Sequence, residues 1–127
     1  MRRLVIALVL VLGVSGLVLV FGAPWRTDAG WSKLVSLAHI WIGFFFLVLF
    51  PLYAWDHITH NRAWLRRLRG VTLSGAVQTV CGALLMVTGV VLLLYGDQVW
   101  PLLRATHHVL TYPLLASIGL HFLSRKS

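Results

Sequence analysis

Charge is absent from four long stretches of the chain: Leu4–Trp25, Leu34–Trp55, Gly70–Gly96 and Ala105–Ser124. Each is at least as long as the ~20 residues an α-helix needs to cross a hydrocarbon core. In lipid the segment has to satisfy its own backbone N–H and C=O groups, so helix is the conformation expected of each. The pattern predicts an all-α fold, an integral membrane four-helix bundle. Its helices are expected at about 4–22, 33–57, 71–95 and 102–123, as one transmembrane domain over residues 1–127. The breaks agree with it. Ala23-Pro24 ends the first stretch, Arg62, Arg66, Arg67 and Arg69 crowd the second connection, and Gly96-Asp97 and Pro101 punctuate the third. Short connections at Ala23–Lys33 and Asp97–Arg104 make neighbours antiparallel, which is up-down topology.

Composition removes the soluble alternative. Only 11% of residues are charged, where a soluble domain carries about 25%. The net charge of +8 is not a nucleic-acid signal, because the basic residues sit at the ends of apolar runs and not along one polar face. They also orient the chain. With the N-terminus in the cytoplasm, Arg2, Arg3, Arg62, Arg66, Arg67, Arg69, Arg125 and Lys126 lie inside, and only Arg26, Lys33 and Arg104 outside. The positive-inside rule then puts both termini in the cytoplasm. Trp25, Trp31 and Trp100 fall at the outer interface and Trp55 and Trp64 near the inner one, as lipid anchors.

Met1-Arg2-Arg3 before an apolar run resembles the front of a signal peptide. No small-x-small cleavage site follows, since Phe21 and Pro24 flank Ala23. A weak internal repeat also argues for a working helix. Ser15-Gly16 and the run to Gly22 parallel Thr88-Gly89 and the run to Gly96, and each is followed by a helix with histidines near both ends. The single cysteine, Cys81, rules out an internal disulfide and a cysteine-based metal site and is read as packing.

The histidines carry the chemistry. The first and third stretches have none. The second has His39 near its outer end and His57 and His60 at its inner end; the fourth has His107 and His108 near its outer end and His121 at its inner end. His39 and His57 are 18 residues apart and His107 and His121 are 14 apart, close to whole numbers of turns at ~3.6 residues each. Each helix thus presents an upper and a lower histidine on one stripe, with Gly43, Phe50 and Tyr53 along the stripe of the second. Imidazole in a bilayer is costly unless paired or ligating, and neutral imidazole is a standard axial ligand of haem iron. Two pairs would hold two haems of the b type: His39 with His107 on the outer side and His57 with His121 on the inner side. The alternates are His60 and His108.

A macrocycle needs room. Gly75, Gly82, Gly89 and Gly96 recur every seven residues along the third helix, so they drift only ~20° per step. The first three are candidate haem-facing positions, as is Gly43; close helix packing is the competing reading.

Taken together, His39 with Ile40-Trp41-Ile42-Gly43, the string His57-Ile58-Thr59-His60 followed by Trp64, Ser74-Gly75, Thr88-Gly89, and the pair His107 and His121 resemble the bacterial di-haem cytochrome b superfamily. The chain is most similar there to the small flavinylation-associated cytochromes. The resemblance implies a multi-pass protein of the bacterial inner membrane that transfers electrons through bis-histidine haems. It also implies redox protein partners on one or both membrane sides and a place as a subunit of a larger complex. One feature departs from that pattern. Ligands on one helix commonly sit 13 or 14 residues apart in the superfamily, whereas the residue 14 beyond His39 is Tyr53, and His57 lies one turn deeper.

Two other functions compete. A quinone-binding anchor would use histidine with tyrosine near an interface, as Tyr53 with His60 or Tyr112 with His108, and a quinone oxidoreductase subunit would combine quinone with haem. A metal-ion transporter would use imidazole, but acids and thiols are almost absent from the spans. Nothing resembles a hydrolytic or group-transfer site.

Overall fold

The computed structural model describes residues 2–22, 29–62, 70–96 and 101–124. They form four α-helices: α1 Arg2–Phe21, α2 Ala29–His60, α3 Gly70–Tyr95 and α4 Pro101–Ser124. All four expected helices are present, and α1, α2 and α4 begin before the charge-free stretch that predicted each, while α3 begins with its stretch at Gly70. The reason is that a helix does not end where lipid ends. Arg2, Arg3, Lys33 and Arg104 are all exposed within the first turns of their helices, where long basic side chains stay solvated while the backbone stays helical.

The ends have local causes. Gly22 N–H donates to the Val18 carbonyl at 2.9 Å, and a Cβ at Gly22 would run into that same carbonyl. Gly96 follows α3 with φ +75° and donates to Leu92 O at 2.9 Å. This is a left-handed cap that favours glycine. Asn61 closes α2 differently: its backbone N–H and its side-chain amide both donate to His57 O, at 3.2 and 2.8 Å. Pro101 opens α4, where its missing N–H costs nothing. α2 and α4 run on through Pro51 and Pro113.

α1, α2 and α3 are long and apolar enough to cross a membrane. α4 is as long, with 24 residues, but Arg104, three histidines and several hydroxyl residues leave it short of that composition. The surface fits lipid as its solvent. Trp41 is 64% exposed, Trp55 72% and Leu94 69%, and large apolar side chains lie exposed along all four helices.

The chain divides into two compact units, residues 1–53 and 54–127. In the first, α1 buries Val5, Val9 and Gly13, and α2 buries Phe46 and Phe50, whose rings lie 4.8 Å apart. In the second, α3 and α4 pack against each other antiparallel, the most extensive helix contact among the described residues. Ser74, Cys81 and Thr88 are buried on α3 at seven-residue spacing, and Leu114 and Ser117 are buried on α4. Small side chains on α3 let the backbones approach. Gln78 Nε2 ties the pair by donating to Ser117 O at 3.0 Å. Hydroxyls turn back on their own helix, Ser117 to Leu114 O and Thr79 to Gly75 O. Among the described residues no buried side-chain nitrogen or oxygen lacks a partner.

Candidate functional site: hydroxyl-bonded histidines

In the first unit, α1 carries Ser15 to the ring of His39, with Ser15 Oγ 2.7 Å from His39 Nδ1. The serine hydroxyl also donates to Leu12 O at 3.1 Å. The next residue, Gly16, clears space for the ring: a Cβ there would stand 3.4 Å from His39 Cε1.

The second unit repeats this contact. Thr88 Oγ1 of α3 lies 2.7 Å from His107 Nδ1 and donates to Leu84 O at 2.8 Å. A Cβ at the following Gly89 would stand 3.3 Å from His107 Cε1. Two heptads earlier, Ser74 Oγ lies 3.1 Å from His121 Nδ1. The hydroxyls and the histidines are each 14 residues apart, so one antiparallel helix pair matches both contacts. His107 and His121 accordingly share the α4 face that meets α3, as their spacing implied.

His57, from the last turns of α2, belongs to the second unit. Its ring centre is 6.4 Å from that of His121, with the planes at 67°. An iron bonded to one nitrogen of each ring, at the ~2 Å usual for metal–imidazole bonds, would place the ring centres ~6 Å apart. The observed separation is close to that spacing. His60 does not join it. His60 Nδ1 is 2.9 Å from Asp56 O and 3.1 Å from the Asp56 carboxylate, and both side chains are largely exposed. His108 Nε2 is instead 3.2 Å from the Tyr112 hydroxyl, one turn along α4.

No family model, curated protein or solved structure matches the chain. The site thus has to be read from its own chemistry. Among the described residues, no group of three or more His, Cys, Asp or Glu side chains gathers as a cage for a bare metal ion. Haem asks less of the protein, because the macrocycle supplies four ligands and the chain two.

The candidate glycines fall in different settings. Gly89 lies against His107, while Gly82 is buried. A Cβ at Gly75 or Gly43 would meet nothing within 4 Å. Sequence reasoning missed the hydroxyls as histidine partners. Their signal was present as three small doublets, Ser15-Gly16, Ser74-Gly75 and Thr88-Gly89, each one helix before its histidine. The arginines at 66, 67 and 69 and the tryptophans at 25, 64 and 100 lie outside the described residues.

Proposed function

We propose that this chain is a membrane b-type cytochrome that passes electrons through two bis-histidine haems, as a subunit or partner of a larger redox complex. The observation that carries the reading is the facing pair His57 and His121, with ring centres 6.4 Å apart. The inner haem is assigned to this pair. The outer haem is assigned to His39 and His107 from their matching places in the sequence repeat. The resemblance to the small di-haem cytochromes of bacterial inner membranes supports His39, His107 and His121 in this assignment, while His57 departs from its spacing.

The haem supplies the one-electron redox chemistry. The chain's own residues bind and insulate it. Four histidine imidazoles, His39, His57, His107 and His121, would hold the two haems, and an iron held by two such residues would serve electron transfer rather than oxygen binding. The apolar helices keep water away. In this reading α4 is the fourth membrane span, with His107, Ser117 and His121 turned toward α3, and both termini are cytoplasmic. A quinone or a redox protein would exchange electrons at either membrane face.

Electron paramagnetic resonance of the purified, oxidised protein tests the ligation. Low-spin ferric signals from both haems are expected. A predominantly high-spin signal would contradict bis-histidine ligation.

A further inference from the structure

We propose that Ser15 and Thr88 are positioning residues that hold His39 and His107 as the Nδ1–H tautomer, so that the lone pair of each imidazole sits on Nε2 for iron. The proposal rests on the cytochrome reading above, but it stands on different observations.

A hydroxyl has one proton to give. Ser15 gives its proton to Leu12 O, and Thr88 gives its proton to the carbonyls of Leu84 and Leu85. A carbonyl oxygen can only accept. The contacts of 2.7 Å from Ser15 Oγ to His39 Nδ1 and from Thr88 Oγ1 to His107 Nδ1 then require the ring nitrogen to donate. A neutral imidazole that donates from Nδ1 carries its lone pair on Nε2. The helix backbone thus dictates the tautomer through one intervening hydroxyl.

The glycine after each hydroxyl lies against the same ring. A Cβ at Gly16 or Gly89 would stand 3.4 or 3.3 Å from Cε1, the carbon between the two ring nitrogens. At Gly89 the ring would have to give by a few tenths of an ångström, whereas at Gly16 the contact would be an ordinary one. The same doublet, hydroxyl then glycine, meets the histidine of the following helix in both halves of the sequence. Ser74 Oγ also lies 3.1 Å from His121 Nδ1, but a Cβ at Gly75 would meet nothing within 4 Å.

A hydroxyl is a neutral acceptor, unlike the carboxylate that often backs a ligating histidine. It orients the imidazole without adding charge inside the bilayer, where a carboxylate would be costly. The near absence of acids from the spans fits this solution.

The test is nitrogen-15 NMR of histidine-labelled protein in lipid bilayers, produced with and without haem supply. The His107 signals are assigned by difference from His107→Gln. In the haem-free protein, His107 should be the Nδ1–H tautomer. Thr88→Val keeps the shape and removes the hydroxyl; it should shift His107 toward the Nε2–H tautomer. It should also weaken haem binding ~10–100-fold, the usual cost of losing such a partner. Thr88→Ser should restore both. An Nε2–H tautomer in the unmodified protein would overturn the proposal, as would an Nδ1–H tautomer that survives Thr88→Val. A protein that stays colourless with ample haem, yet shows the hydroxyl-dependent tautomer, would sink the cytochrome reading and leave the tautomer assignment standing.

Discussion

At the scale of single residues, neighbouring histidines separate by what holds their ring nitrogens. His60 is three residues beyond His57, and both end α2. His60 turns to Asp56 at the exposed helix end, whereas His57 meets the ring of His121. Replacing His57 by alanine is expected to remove one haem of the two, and replacing His60 to leave haem content unchanged. The haem-to-protein ratio of the two purified variants checks this, and loss of haem on His60→Ala alone would reverse the assignment. The stripe spacing made His107 and His121 legible as a pair, because 14 residues is nearly a whole number of turns. It said nothing of Nδ1 partners. A tautomer is set by a side chain on another helix, and periodicity along one helix does not contain that information.

At the scale of elements, apolar length placed four helices, and each helix starts earlier than expected, by one to four residues, because lipid thickness bounds the apolar run and not the helix. The packing of α3 on α4 was partly legible. Gly75, Gly82 and Gly89 marked a seam, but its buried members include Ser74, Cys81 and Thr88, one residue earlier in each heptad. Small polar side chains do there what glycine was expected to do: they let the helices close and also offer hydroxyls. α4 is the element whose composition argues least for a span, since Arg104, three histidines and Pro113 interrupt its apolar run. Its packing on α3 covers His107 and His121 through Thr88 and Ser74, which lowers the cost of taking them into lipid. A periplasmic reporter fused after residue 98 should be active, and the same reporter fused after residue 127 inactive. Activity at both points would mean that α4 does not cross.

At the scale of the whole molecule, two features bear on function: a repeat and a charge asymmetry. The repeat runs from Ser15-Gly16 with His39 to Thr88-Gly89 with His107, and the buried Phe46 and Leu114 follow the two histidines by seven residues in each case. It breaks at the inner end, where Tyr53 stands at the place equivalent to His121 and His57 lies one turn on. The ring contact between His57 and His121 shows that the extra turn does not keep α2 from delivering a histidine to α4. In the proposed topology the asymmetry is eight basic residues against three, which would put the inner pair on the cytoplasmic side. Central to the account is the claim that these histidines hold haem, and haem stoichiometry tests it most directly. A pyridine haemochrome assay on protein purified from haem-replete cells should give non-covalent haem b at two per chain, and a colourless protein would contradict the account.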